Sequence, residues 1–430
     1  MKNELIKPTT EEELRGTGLA TDERPFQAAV GVDGLLPDDI EALTQEAEED
    51  EKRRRKLLIL LIFLLMLLCI FSTIFYRYLQ QPAPLPEMLL PSTVHYPPHY
   101  LFSIYGVDRP VGVTLSPEGD RLYVAETGGE RMIRIFDTDG TPIAMFAPPR
   151  TRPGERSPVY LETDKDGRIF VTDRLQHAIY VFGSDGSYLD MLISPDLSLS
   201  NYVDSRAGGL LLGSSYNYNI FQDNVYYQPF GQEETMLPAP DTMIKWAPLG
   251  IHIDKENNLF VTDVTEGKNR ILEFSLPDEP ILVSWEGIQL LQSDFGKSGQ
   301  SRGQFLFPND VATDSQERVY VSDGNNGRIS VWDKERNFLF NFSGGTTEGT
   351  LSLPRGIFID HLDRLFVVDA VGQNVKVYDV SGSEPAFLYA FGDWGIDDGL
   401  FNYPNDIVVD RSGRLYIVDR ENNRIQVWSY

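Results

Sequence analysis

The stretch PNDVATDSQERVYVSDGNNGRISVW, residues 308–332, decides the fold. It opens on Pro308, places an aliphatic three residues later at Val311, and turns at Asp314. VYVSD (319–323) is a short run of strand-forming residues with an aromatic second and an acid last. GNNG is turn chemistry, and RISVW (328–332) is a further strand ending on Trp332. The same order of residues returns in PNDIVVDRSGRLYIVDRENNRIQVW, residues 404–428.

Working outward, the pattern repeats over the C-terminal three quarters of the chain. Units open at Pro110, Pro158, Pro248, Pro308, Pro354 and Pro404, with Val113, Leu161, Ile251, Val311, Ile357 and Ile407 three residues on. A polar turn follows, led by Ser116 in the first unit and by Asp164, Asp254, Asp314, Asp360 and Asp410 in the others. The next strand carries Tyr123, Phe170, Phe260, Tyr320, Phe366 or Tyr416 and closes on Glu126, Asp173, Asp263, Asp323, Asp369 or Asp419. A third strand ends on Phe136, Phe182, Phe274, Trp332, Tyr378 or Trp428, and a fourth leads through a Gly-rich connector such as FGDWGIDDGLFNYP (391–404) to the next Pro. Four antiparallel strands repeated at this length form a propeller blade, so the fold class is all-β.

These units closely resemble the NHL repeat, in the form P-x-x-(aliphatic)-x-x-D, then (aliphatic)-(aromatic)-V-x-D, then N-R-I-x-V-(aromatic). The resemblance covers residues 100–430 and implies a β-propeller. It leaves function open, because one fold hosts many activities. Six units are clear, but Pro158 and Pro248 are widely separated. YVDSRAGGLLLGSSYNYNIFQDNVYYQPFG (202–231) aligns as a degraded unit, with Asp204 as turn residue, Leu210–Leu212 as second strand, Ile220–Phe221 as third and Val225–Tyr227 as fourth. Seven blades are therefore favoured. The alternative is six, with 194–246 as an insertion. The last unit lacks its fourth strand, and YLFSIYG (100–106) has the form to supply it and close the ring.

The rest of the chain reads as an anchor. Leu57 to Phe75 (LLILLIFLLMLLCIFSTIF) has no charge, Pro or Gly. At about 1.5 Å per residue it can cross a bilayer core of roughly 30 Å. KRRRK (52–56) precedes it and Arg77 alone follows closely, so the positive-inside bias puts the N-terminus in the cytoplasm and the propeller outside. A cleaved signal peptide would have a shorter apolar run and a small-residue cleavage site. The reading is a single-pass signal-anchor in a cell membrane, with the lipid bilayer as partner of residues 57–75. Acid-to-base i,i+4 pairs from Glu48–Lys52 to Glu51–Arg55 extend the helix N-terminally, and Asp38 and Asp39 after Pro37 mark its start. Residues 1–51 form an acidic tail, with 15 acidic and 4 basic residues, largely disordered before the helix. GVDGLL (31–36) is a docking candidate. Residues 79–99 are Pro-rich and read as a spacer.

The whole chain of 430 residues has 64 acidic and 38 basic side chains. Phosphate backbones are bound by clustered Lys and Arg, so this balance argues against nucleic acid. Although some NHL propellers bind RNA through a basic face, that role is not carried over. Cys69 is the sole cysteine, so no disulfide framework is available, and a prokaryotic source is expected.

Candidate ligand-binding residues lie where the loops of a propeller meet the channel mouth. Arg109, Asn309, Asp310, Arg355, Asn405 and Asp406 come from the starts of innermost strands. Arg174, His177, Asn325, Asn326, Glu421 and Asn422 come from the loops between second and third strands. Asn309-Asp310 and Asn405-Asp406 have the oxygen donors to hold a Ca²⁺-like ion. Each Asp would otherwise bond its neighbour's backbone and keep the blade spacing. The acids that close the second strands are expected to be structural. An amidating-lyase-like propeller resembles this repeat and uses histidine-bound zinc, but His95, His99, His177, His252 and His361 do not fall where three could converge. No GxSxG nucleophile motif and no phosphate-cradling Gly loop is present.

The sequence thus points to an extracytoplasmic binding or scaffold module whose partner is a protein, glycan or small ligand, without a required cofactor. Two alternatives stand beside it. One is a lactonase- or lyase-type propeller enzyme using Asp310 and Asp406 on a metal. The other is a surface sensor signalling through the acidic tail. Bacterial receptor kinases with an external NHL propeller have a similar layout, but 56 residues before the span cannot hold a kinase.

Overall fold

The computed structural model describes residues 37–80, 96–192, 195, 216–221, 224–229, 233, 235–238, 246–276, 291–343 and 349–430. It falls into two compact units, Met1–Pro82 and Ala83–Tyr430. In the first, one helix runs from Pro37 to Gln80. Pro37 takes the first helical position, where its missing N–H costs nothing. Within it Asp50–Thr73 is long and apolar enough to cross a membrane, and its side chains from Leu57 to Phe71 are exposed.

The second unit contains six four-stranded antiparallel sheets. Blade 1 spans 110–146, blade 2 158–192, blade 3 248–295, blade 4 308–342 and blade 5 354–391. Blade 6 combines Pro404–Val409, Arg414–Asp419 and Arg424–Ser429 with His99–Ile104, which pairs antiparallel to Arg424–Ser429 as the outermost strand. The N-terminal strand therefore closes the ring, as its sequence indicated. His99, assigned to the spacer from composition, is the first residue of that strand.

The innermost strands touch in the order 1-2-3-4-5-6-1. That overturns the favoured count of seven and leaves the six-blade alternative. Pro158–Thr163 of blade 2 packs directly on Pro248–Ile253 of blade 3. The segment read as a seventh blade instead forms a three-stranded sheet of Tyr216–Phe221, Asn224–Pro229 and Thr235–Pro238. Among the described residues it supplies no strand to the ring. Asp204 and Leu210–Leu212 lie outside the described residues.

The repeat's Pro and acid are register partners. Pro110 faces Glu126, and Pro158, Pro248, Pro308, Pro354 and Pro404 face Asp173, Asp263, Asp323, Asp369 and Asp419. Pro has no N–H to give at this first strand position, and the ladder shifts by a bulge just after it. The opposing acid serves the loop instead. Asp173 accepts the N–H groups of Ser157, Leu175 and Gln176. Asp369 accepts those of Ser352, Leu353 and Gly372 and binds the Lys376 ammonium at 2.8 Å. Asp323 and Asp419 each take a loop N–H, from Leu306 and Asn402, together with Arg328 and Arg424. These acids staple the loop before each Pro to the loop after the second strand, the structural role expected of them.

Between blades lie the repeated aromatics. Tyr123, Phe170, Phe260, Tyr320, Phe366 and Tyr416 are fully buried, and Phe136, Phe182, Phe274, Trp332, Tyr378 and Trp428 are nearly so. Wide side chains are needed there because blades diverge away from the axis. Each such ring stabilises the fold by about 1.5–3 kcal/mol through burial alone.

Candidate functional site

The second and fourth residues after each opening Pro point into the central channel, which encloses a cavity of about 40 Å³. The second positions alternate in size around the ring: Gly112, Tyr160, Gly250, Asp310, Gly356, Asp406. A Cβ at Gly112 would strike the backbone of Val159 and Tyr160. One at Gly250 would strike Asn309 and Asp310, and one at Gly356 would strike Asn405 and Asp406. Each odd-numbered blade thus gives way to the even-numbered blade after it.

Asp310 and Asp406 are buried, and each reaches forward to the next blade. Asp310 Oδ2 accepts the Ile357 N–H at 2.9 Å, and Asp406 Oδ2 accepts the Val113 N–H at 2.9 Å. Their asparagine neighbours do likewise. Asn309 Nδ2 donates to the Pro354 carbonyl and Asn405 Nδ2 to the Val111 carbonyl. Burial pushes Asp406 up to about 8 and raises Asp310 well above the usual carboxylate range, with Asp406's charge adding to the effect on Asp310. Among the described residues no group of three His, Cys, Asp or Glu could hold a metal ion. The paired carboxylates are engaged in joining blades.

Blade 2 breaks the pattern with Tyr160. Its buried phenol receives a hydrogen bond from Asn405 Nδ2 of blade 6 at 3.3 Å, reaching past blade 1. Two residues on, Glu162 bonds Thr114 Oγ1 at 3.2 Å and lies 4.0 Å from His252. Burial raises Glu162 to about 7 and lowers His252 to about 4, so the imidazole is neutral at pH 7, with Nε2 hydrogen-bonded to Thr313 Oγ1. Neither Tyr160 nor Glu162 was picked out from the sequence. Both were readable there, since counting two and four residues from each Pro aligns them with Asp310 and with the channel wall.

At the mouth, three residues just before a Pro hold a left-handed backbone: Arg109 (φ 45°), Phe307 (φ 60°) and Tyr403 (φ 56°). That conformation is costly for a residue with a Cβ. Each is held by a side-chain amide from the preceding blade. The Arg109 N–H donates to Asn423, the Phe307 N–H to Asn269 and the Tyr403 N–H to Gln373, at 2.8, 2.6 and 2.7 Å. The consequence is two aromatic shelves beside arginines. Arg174 from blade 2 lies 5.6 Å from the Phe307 ring of blade 4. Arg355 lies 5.7 Å from the Tyr403 ring and donates to its hydroxyl and to Asn309 Oδ1. Arg420 flanks Tyr403 as well, at 5.7 Å. Burial lowers Arg174 from its ordinary value, and the charge of Arg355 adds to this, so the two guanidiniums feel each other across the mouth.

The remaining sequence candidates divide. Arg109 and Glu421 are exposed at the same mouth, 4.0 Å apart. Asn326 and Asn422 are clamps. Their amides bridge the Gly299 and Gly395 carbonyls to Asp323 and Asp419. His177 is tied by Nδ1 to the Trp246 carbonyl, and Asn325 is exposed, with its N–H on Leu306. Around these loops Leu175, Val371, Trp394 and Ile396 are exposed, the last two at 69% and 73%.

Residues 305–332 and 401–428, the spans through blades 4 and 6, match the family model of the NHL repeat. This chain is an NHL-repeat β-propeller. It is similar to the Drosophila melanogaster protein brain tumor, 38% identical over 66 residues, which is 15% of this chain and 6% of that protein. It is also similar to the Rattus norvegicus peptidylglycine alpha-amidating monooxygenase, 26% identical over 188 residues, 39% of this chain and 18% of that protein. The chain therefore matches only a small part of either relative. Among solved structures, selenomethionine-substituted virginiamycin B lyase from Staphylococcus aureus aligns with a TM-score of 0.47 and 13% identity, over 76% of this chain and 98% of that one. As an NHL propeller it is a binding or scaffold module or a propeller enzyme, and its mouth is the face on which the two readings meet.

Proposed function

We propose that this NHL propeller is a membrane-anchored binding module, held by Leu57–Phe75 with its propeller on the non-cytoplasmic side and its loop face turned to a protein partner. The observation that carries the reading is the division of labour between channel and mouth. Asp310 and Asp406, the acids best placed for chemistry, spend their hydrogen bonds on the backbone of the next blade. The mouth, by contrast, exposes Arg174, Leu175, Val371, Trp394 and Ile396 on loops held by amide clamps. Rigid loops with exposed aromatic, aliphatic and arginine side chains are what a protein interface uses. The orientation rests on KRRRK (52–56) ahead of the span.

The test is crosslinking in native membranes with a photoreactive residue at position 396, compared with one at Lys334 in the turn between the third and fourth strands of blade 4. A defined protein adduct from position 396 and none from 334 supports the reading. No adduct from either position, or a C-terminal tag at Tyr430 reached only from the cytosol, would sink it.

A further inference from the structure

We infer that the mouth binds an acidic peptide segment, whose carboxylate is gripped between Arg174 and Arg355 while its apolar flanks rest on the exposed side chains of blades 5 and 6. This rests on the binding-module reading and names the partner's chemistry.

Arg174 belongs to blade 2 and Arg355 to blade 5, which are opposite one another in a ring of six. Both side chains nonetheless converge on blade 4: Arg174 on the ring of Phe307, Arg355 on the amide of Asn309 two residues along. Arg174 feels the charge of Arg355 and the Tyr160 phenol, which places the three within electrostatic reach of one another. Neither guanidinium has a carboxylate partner among the described residues. The hydrogen bonds of Arg355 go to neutral oxygens, and its buried Nε has no partner. Six other arginines of the propeller differ, although Arg121, Arg131 and Arg156 bond to carbonyls. Arg168, Arg270, Arg318, Arg328, Arg364 and Arg424 each pair with an Asp. In a chain with 64 acidic and 38 basic residues, two facing arginines without an acid mark a place kept for an incoming one. The Arg174 guanidinium over the Phe307 ring keeps its fork edge free for the two oxygens of a carboxylate, and each terminal nitrogen of Arg355 has a second N–H beyond its bonds to Asn309 and Tyr403.

The surroundings specify a peptide. Val371 stands in the loop of blade 5, and the Trp394–Ile396 tip is tied to blade 6 by Asn422, whose amide bonds the Gly395 carbonyl at 2.9 Å. Exposed aliphatic side chains suit the apolar residues of a peptide and have no counterpart on a glycan. Over its whole length the chain carries 64 acidic against 38 basic residues, which opposes a long polyanion such as RNA more than a short segment with one carboxylate.

The experiment is a selection of random linear peptides on the full-length protein in detergent micelles, followed by affinity measurement of the winners on variants. Enriched sequences should carry Asp or Glu, or a free C-terminal carboxylate, next to an apolar residue. Affinity should fall about tenfold or more in Arg174→Gln and Arg355→Gln, weaken with added salt, and stay unchanged in Lys255→Gln on the opposite face. Among the described residues the Arg174 side chain makes no hydrogen bond, so its variant separates lost binding from lost folding. Selected peptides without acidic groups, no enrichment at all, or full affinity in Arg174→Gln would overturn the inference, as would tighter binding of RNA or uronate oligosaccharides lost in the same variants. If the native crosslink from position 396 persists in Arg174→Gln and Arg355→Gln, the binding-module reading survives and the acidic-peptide inference alone fails.

Discussion

Two residues after each opening Pro, a single position decides how closely neighbouring blades approach. Gly250 lies against the backbone of Asn309 and Asp310, which cannot retreat as a flexible side chain would. Gly250→Ala should therefore destabilise the propeller by about 3 kcal/mol, read as a lower denaturant midpoint with little change in m. Acids at this position and two residues beyond it govern pH dependence. Glu162 and Asp406 keep their protons up to about 7 and about 8 in the folded chain, against ordinary values of 4.5 and 3.8. Between those limits the native state binds more protons than the unfolded one, so stability falls as pH rises. His252 acts oppositely, its folded value of about 4 lying below 6.5, but only under pH 6.5. From pH 6.5 to 8.5 the acids act alone, and the melting temperature should fall. Asp406→Asn keeps an oxygen for the Val113 N–H and should flatten that fall. An equal slope in wild type and variant would show that the carboxylate is not held protonated. At this scale the Asn-Asp pairs were legible in the sequence as special, and so was the reading in which each Asp bonds its neighbour's backbone and keeps the blade spacing, as Asp310 does at Ile357 and Asp406 at Val113. The Gly alternation was not, because a repeat consensus averages over the blades whose differences create it.

Each strand end carries its own fastening. The Pro–acid pairs were legible because one partner lacks an N–H and the other has oxygens to spare, so their spacing encodes register as well as composition. The amide locks were not legible, since Asn269, Gln373 and Asn423 occupy turns where such residues are common for local reasons. Their effect is long-range: Asn269 in blade 3 holds the strained Phe307 of blade 4. Asn269→Ala would leave the Phe307 N–H without its partner while φ stays positive. The expected cost is about 1–3 kcal/mol in unfolding free energy. Faster hydrogen exchange should appear at Phe307 and at Asn325, whose N–H donates to Leu306. If blade 4 exchanges as slowly as in the wild type, the lock does not hold that loop. The shelf under Arg174 should loosen with it, so peptide affinity at the mouth should decline in this variant even though Asn269 lies outside the proposed contact.

On the scale of the whole molecule, closure and blade number are set by which innermost strands meet. The segment 202–231 reads like a blade because a degraded unit and an insertion with strands of its own share the same aromatic, turn-rich composition. Only the direct packing of blade 2 on blade 3 separates them. This has a consequence for connector length. About a dozen residues link the outermost strand of one blade to the next Pro in blades 1, 3, 4 and 5, whereas 193–247 intervene between Leu192 and Pro248. If the ring is complete without the insertion, replacing 197–243 by about four Gly and Ser residues restores an ordinary connector. Trp246, which is buried against blades 2 and 3, is retained. Shortening the loop several-fold lowers its closure cost by about 1 kcal/mol, so the melting temperature should hold or rise by a few degrees at most, roughly 1–3 °C. A seven-bladed ring would respond in the opposite way. Losing one blade in seven leaves a gap between two sheets that cannot be closed without repacking every interface, and the variant would lose its cooperative transition. Unfolding curves of the deletion and the wild type therefore decide the blade count in solution.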